Sequence, residues 1–88
     1  MATERTLMLK ILSPEKVLFS GPVTKVLLPG GKEPFMVLFN HAPLMSTLQN
    51  GVIKWSGAAE GSLAVTGGFV EVKDNVVIAC VETDKNYE

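Results

Sequence analysis

Turn-forming residues divide this chain into short pieces, and this division constrains the fold more than any other feature. Glycine, proline, asparagine and aspartate recur between apolar runs, and no stretch of ten residues keeps the apolar spacing of a helix. The breaks fall at residues 13–15, 20–22, 29–34, 57–61, 67–68 and 74–75. The pieces between these breaks have the length of β-strands.

The same pieces carry β-type patterns. Residues 7–12 alternate with a period of two, and residues 76–81 form a continuous apolar run. Residues 35–39 are also all apolar, so a strand there should be covered on both faces. The pair Asp74 and Asn75 tolerates positive φ and suits a tight hairpin. Strands are predicted at residues 7–12, 17–19, 23–28, 35–39, 52–56, 63–65, 69–72 and 76–81. The predicted fold class is all-β: one domain over residues 1–88, a flattened antiparallel β-sandwich or barrel of about eight to ten short strands.

Composition narrows the function. The 88 residues are 47% hydrophobic with a mean hydropathy of +0.27, yet no apolar run approaches the ~20 residues of a membrane helix. The net charge is −1 with charges scattered, which gives no footprint for nucleic acid. The start carries Glu4 and does not have the pattern of a secretory signal, and the tail at residues 82–88 is polar. An apolar excess without a membrane segment predicts a subunit of something larger.

The sequence contains few candidates for catalytic or metal-binding residues. His41 is the only histidine and Cys80 the only cysteine, and the carboxylates are scattered. Cys80 is interpreted as a small buried hydrophobe and His41 as a surface or interface residue. Trp55 alternates with Ile53, which favours core packing over a ligand platform. We therefore predict no catalytic residue, no metal site and no cofactor.

Residues 35–48 carry apolar residues on both sides of a polar turn and are the candidate partner surface. Asn40 can hold a left-handed turn, and Ala42 and Pro43 favour an extended backbone. Aromatic and methionine side chains are favoured at the centre of interfaces. The expected anchors are Phe39, His41, Leu44 and Met45.

Several motifs taken together resemble one known family, the epsilon subunit of F-type ATP synthases. The motifs are LKILSPE at 9–15, FSG at 19–21, NHAPL at 40–44, GVI at 51–53, VTGGFVEV at 65–72 and NVVI at 75–78. The combination of His-Ala-Pro-Leu with a downstream Gly-Gly-Phe-x-Glu-Val is specific, and the resemblance covers nearly the whole chain.

The resemblance implies a non-catalytic rotor subunit at the foot of the central stalk. Such a subunit binds the gamma subunit, rests on the ring of c subunits and couples proton flow to ATP synthesis. It would be peripheral on the cytoplasmic face of a bacterial inner membrane or on the equivalent side of another energy-coupling membrane. The residues expected at the gamma or c-ring interface are Phe39, Asn40, His41, Ala42, Pro43, Leu44, Met45, Gly30, Gly31, Lys32 and Glu33.

Three departures from the family pattern bear on this interpretation. The chain stops at Glu88, where most members continue into a C-terminal helical hairpin. In the loop at 29–34, Pro34 replaces an acidic position, and Met36 replaces a glycine. Before His41, the usual Pro-Gly is Phe39-Asn40. The alternative function is a free-standing β-sandwich module that binds a ligand or peptide at Trp55.

Overall fold

The computed structural model describes residues 5–84. The expectations about the start of the chain, at residues 1–4, and about the end of the polar tail, at residues 85–88, lie outside the described residues. The described part contains nine strands and no helix. The strands are β1 (Leu7–Leu12), β2 (Val17–Val23), β3 (Lys25–Leu28), β4 (Phe35–Val37), β5 (Leu44–Leu48), β6 (Gly51–Ser56), β7 (Gly61–Val65), β8 (Gly67–Lys73) and β9 (Val76–Glu82).

These strands form two sheets. The five-stranded sheet has the order β2-β1-β9-β8-β5, and the four-stranded sheet has the order β4-β3-β6-β7. Every neighbouring pair is antiparallel except β1 and β9, which run parallel in the middle of the larger sheet. The all-β sandwich predicted from the turn spacing is therefore confirmed.

The core lies between the two sheets and follows the period-two pattern. In β1 the odd-numbered positions are buried, and in β9 Val77, Ala79 and Val81 are buried on the same side. Leu9 faces Val77 across the parallel pair, so one row of side chains crosses the sheet. Each fully buried aliphatic side chain of this kind contributes roughly 1.5–3 kcal/mol. The buried residues are Leu7, Leu9, Ile11, Val23, Val26, Leu28, Val37, Leu48, Ile53, Val65, Val70, Val72, Val77, Ala79 and Val81.

The predicted hairpin at residues 74–75 is confirmed. Asp74 and Asn75 have φ of 54° and 63°, the type I′ conformation that matches the twist of the strands on either side. Lys73 pairs with Val76 directly across this two-residue turn. Asn40 is the third non-glycine residue with positive φ, at 64°, as its residue type suggested.

The expectation that residues 35–39 form a strand covered on both faces is wrong. The strand covers only Phe35–Val37, and because residues 5–84 form just two sheets, the face of the strand that points away from the other sheet has no layer over it. Met36 is 45% exposed and Leu38 50% exposed. An apolar run cannot distinguish a strand buried on both sides from an edge strand with an apolar outer face.

Two turn predictions also need correction. Residues 20–22 do not break a strand, because β2 is an edge strand and Pro22 can pair there with Met8 without donating an amide. The break falls instead at Thr24, whose N–H and hydroxyl both donate to the Ser56 carbonyl. The loop at 29–34 is exposed only from Gly31 onwards, since Pro29 and Gly30 are buried.

Cys80 is not the buried core residue that the sequence suggested. It alternates with Ala79 and Val81, which take the core side, so Cys80 is half-buried on the opposite face of the larger sheet. None of the described residues forms a helix capable of crossing a bilayer.

Candidate functional site

Residues 38–43 form a compact turn, which we call the docking turn. The His41 N–H donates to the Leu38 carbonyl at 3.1 Å, closing a four-residue turn with Asn40 at its third position. A positive φ at that position is what a type II turn requires, and asparagine tolerates it. The His41 ring lies with Nδ1 2.7 Å from the Ala42 carbonyl; because a carbonyl only accepts, Nδ1 carries the hydrogen.

The docking turn is held to the β8–β9 hairpin. The Asn40 N–H donates to Asn75 Oδ1 at 2.6 Å, and Asn75 Nδ2 donates to Asn40 Oδ1 at 3.1 Å. The Asn75 carbonyl accepts from the Met8 N–H at 2.9 Å. One residue therefore links the first strand, the hairpin and the docking turn.

Within the docking turn the side chains differ in exposure. Asn40, Ala42 and Pro43 are exposed, whereas Phe39 and His41 are half-buried. The Arg5 guanidinium lies 5.9 Å from the centre of the Phe39 ring, at the outer limit of a cation–π contact.

A shallow groove of about 460 Å³ lies between the loop at 29–34 and β5. Its floor is fixed by backbone contacts: the Gly31 N–H donates to the Thr47 carbonyl at 2.9 Å, and Gly30 bridges to Leu48. Gly30 has room for no side chain, because a Cβ there would lie 2.8 Å from the Phe35 ring. The groove brings together two parts of the predicted interface; it is lined by Gly31, Lys32, Glu33, Phe35, Leu44, Met45, Ser46 and Thr47.

Leu44 and Met45 have opposite roles. Leu44 packs against the core, whereas Met45 is 71% exposed on the other side of β5. Of the four expected anchors, Met45 is the one that presents most of its surface to solvent.

Sequence reasoning missed a larger apolar surface on the outer face of the five-stranded sheet, which we call the outer patch. It consists of Met8, Leu12, Met45, Phe69, Val76, Ile78 and Cys80. The strand register assembles it: Met8 pairs with Val76, and Leu12 and Phe69 both pair with Cys80. Phe69 is 51% exposed and Met8 39%. The available signal was the continuous apolar run at 76–81, but the strand order that places β9 between β1 and β8 is not visible in the sequence.

Charged residues of both signs lie among the apolar side chains of the outer patch. Lys10 and Glu71 both pair with Ile78 from opposite sides, and Lys73 pairs with Val76. The two lysines and one glutamate leave a net charge of only +1 on this face.

The residues considered for chemistry do not come together. Asn75 lies next to the docking turn and immediately precedes β9. Cys80 is five residues further along this extended segment, a distance of about 16 Å. His41 and Cys80 therefore do not form a nucleophile–base pair. Within residues 5–84, no group of three or more His, Cys, Asp and Glu side chains is close enough to hold a metal ion.

Trp55 packs in the sandwich, as its alternation with Ile53 predicted. Its ring centre lies 4.6 Å from that of Phe19, and it belongs to the side chains packed on the core. Gly61 lies across from it, where a Cβ would come within 2.6 Å of the indole. The indole N–H is buried without a hydrogen-bond partner among the described residues. Trp55 is thus a packing residue, and nothing in its surroundings favours the alternative ligand module.

The sequence of this chain matches one family of known proteins over nearly its whole length. The family model described as "ATP synthase, Delta/Epsilon chain, beta-sandwich domain" matches residues 6–85. An ATP synthase epsilon chain of Chlorobium limicola is 36% identical over 83 residues, covering 92% of this chain and 94% of that relative. One from Leptospira borgpetersenii is 46% identical over 68 residues, covering 76% of this chain. The chain spans about half of that relative's length, 54%.

Solved structures agree on the fold. A chain in the Euglena gracilis mitochondrial ATP synthase superimposes with a TM-score of 0.81 at 18% identity, covering 92% of this chain and 53% of that one. A chain in the central stalk and c-ring structure of the Tetrahymena thermophila mitochondrial ATP synthase gives 0.73 at 15% identity, covering 93% and 66%.

The fold and surfaces define a small β-sandwich domain whose most distinctive feature is an exposed apolar sheet face. The chain belongs to the family of ATP synthase delta/epsilon chain β-sandwich domains. Its named relatives are ATP synthase epsilon chains.

Proposed function

We propose that this chain is a non-catalytic rotor subunit of a proton-translocating F-type ATP synthase. It binds the gamma subunit and the c-ring and couples proton flow to ATP synthesis, peripheral to the cytoplasmic face of a bacterial inner membrane. The observation that carries the proposal is the family match over residues 6–85, joined by an epsilon-chain relative of which this chain covers 94%. The resemblance to the family supplies the identity of the two partners.

The outer patch is the docking face for gamma. Met8, Met45 and Phe69 expose large apolar side chains on one side of one sheet. Burying a side chain of this size contributes roughly 1.5–3 kcal/mol, so three of them exceed what exposed charges offer. Met8 and Val76 of this face lie beside Asn75, whose carbonyl accepts from the Met8 N–H and whose side chain bonds to Asn40, so the face continues to the docking turn.

The loop at 29–34 presents its polar end to the c-ring. Lys32 and Glu33 are exposed and carry opposite charges. Exposed ion pairs are worth about 0–1 kcal/mol, so this contact positions the subunit, and gamma holds it.

Charge insertion on the outer patch tests the docking face. We expect Phe69→Asp and Met45→Asp each to weaken gamma binding by at least about tenfold, since about 1.4 kcal/mol of lost burial is tenfold in Kd. Both side chains are exposed in the free chain, so the midpoint of unfolding should change little. Binding is measured by calorimetry with purified gamma.

Val52→Asp is the matched control. Val52 is an exposed valine on the outer face of the four-stranded sheet, away from the outer patch. It should bind gamma like the unmodified chain. Normal binding by both patch variants would show that gamma docks elsewhere, and a selective loss in Val52→Asp would assign the docking face to the smaller sheet.

A further inference from the structure

The reciprocal pairing of Asn40 with Asn75 joins two turns that each contain left-handed residues. In a type II turn the N–H of the third residue points away from the closing hydrogen bond, so it needs a partner from elsewhere. Here that partner is Asn75 Oδ1, at 2.6 Å. Because a backbone N–H can only donate, Oδ1 must face it, which leaves Nδ2 to donate to Asn40 Oδ1 at 3.1 Å.

Asn75 is itself held firmly. It occupies the second position of the type I′ turn, and its carbonyl accepts from the Met8 N–H at 2.9 Å. Met8 lies in β1, which pairs on both sides. The Asn75 side chain therefore holds the docking turn against the five-stranded sheet, at a point where the neighbouring strand β1 is paired on both sides.

We propose that Asn75 is a positioning residue that fixes the docking turn in the shape that gamma recognises. This inference rests on the proposed function for its partner. Fixing a loop in its bound conformation raises affinity by removing an ordering cost from the binding step. Asn75 is hydrogen-bonded to Asn40, and through Asn40 it fixes the positions of His41, Ala42 and Pro43.

The pair depends on the residue type at position 40. A glycine there would have no side-chain oxygen to accept from Asn75 Nδ2. Asn40 supplies both the positive φ and the acceptor.

Amide hydrogen exchange on the free chain tests the link directly. In Asn75→Gly the positive φ is retained and both side-chain hydrogen bonds are lost. We expect the Asn40 amide to exchange about tenfold faster, since a net hydrogen bond is worth about 0.5–1.5 kcal/mol. In Asn75→Asp the carboxylate still accepts from the Asn40 N–H, so that amide should stay protected while the bond from Nδ2 is lost.

Gamma binding tests the positioning role. We expect Asn75→Gly to weaken binding about tenfold with little change in the unfolding midpoint, and Asn75→Asp to recover part of that loss. In an Asn40→Gly, Asn75→Gly double variant, the two effects should be less than additive because they remove a shared bond.

Asp74→Gly is the control in the same hairpin. Asp74 also has positive φ, but within residues 5–84 it makes no hydrogen bond to the docking turn. It should leave both the Asn40 exchange rate and gamma binding unchanged.

The outcomes test separately the link between the two turns, the positioning role of Asn75 and the proposed function. Unchanged Asn40 exchange in Asn75→Gly overturns the link between the turns. Faster exchange with unchanged gamma affinity overturns the positioning role. Failure of the unmodified chain to bind gamma overturns the proposed function and the positioning role that rests on it, while the exchange result still decides whether the link exists.

Discussion

Left-handed backbone positions show how closely residue type follows local geometry in this chain. Within residues 5–84, the three non-glycine residues with positive φ are Asn40, Asp74 and Asn75, the residue types whose short polar side chains tolerate that region. Two glycines have φ near 135°, where other residues are strained. Gly68 is one of them, and it is the second residue of β8.

Gly68 should be intolerant of any side chain. A Cβ there would collide with the Cys80 carbonyl oxygen and come within 2.9 Å of the Val81 Cα, in a φ of +137°. We expect Gly68→Ala to destabilise the chain by at least about 1–3 kcal/mol from backbone strain alone. Denaturant unfolding followed by Trp55 fluorescence measures the change.

The adjacent glycine provides the comparison. A Cβ on Gly67 would be no closer than 3.7 Å to any neighbour, and its φ is unexceptional. Gly67→Ala should be neutral or stabilising by up to about 1 kcal/mol, because alanine restricts the unfolded chain. Equal destabilisation by both substitutions would contradict the assigned backbone geometry.

At the scale of single elements, the loop at 29–34 combines a buried base with an exposed tip. Pro29 packs against Gly51, where a Cβ would lie 2.7 Å away, and Gly30 bridges to Leu48. Lys32 and Glu33, at the tip, are exposed. The base sets where the tip points, and the charges at the tip contribute little to how firmly it is held.

Removing both charges should therefore leave assembly intact. We expect Lys32→Ala with Glu33→Ala to remain bound to the complex at ordinary salt, because an exposed pair is worth about 0–1 kcal/mol. Proton–ATP coupling in membrane vesicles should shift only mildly. Loss of the subunit from washed membranes would identify the loop, instead of the apolar face, as the anchor.

The strands were predictable from sequence where a local signal existed. The hairpin at 74–75 and the alternation of β1 are both encoded in adjacent residues. The outer patch was not predictable, because Met8, Phe69 and Cys80 come together only through the parallel pairing of β1 with β9. The apolar run at 35–39 led to a wrong prediction because apolar residues on both faces of a strand do not require both faces to be covered. Met36 is apolar and is still exposed on the outer face.

The whole molecule combines a small net charge with a concentrated apolar surface. The net charge of the chain is −1, and the two lysines and one glutamate on the face of the outer patch sum to only +1. Association through such a surface depends on removing apolar area from water, which salt affects far less than it affects charge attraction.

Gamma binding should therefore be nearly independent of ionic strength. We expect Kd to change by less than about threefold between about 0.05 M and about 0.5 M salt. Attraction between exposed charges is strongly screened over this range, so a charge-driven association would weaken much more. Calorimetry at the two salt concentrations measures this. A drop in affinity of tenfold or more would show that charges, and not the outer patch, carry the association.

The parallel pair in the middle of the larger sheet also governs how the chain can fold as it is made. Of the nine strands in residues 5–84, β9 leaves the ribosome last, and it joins the β2–β1 pair to the β8–β5 pair. Until it arrives, the sheet exists as two halves whose apolar faces are open, a situation in which nascent chains aggregate. Contacts between strands so far apart in sequence also close slowly. This domain can therefore complete its larger sheet only after β9 has left the ribosome.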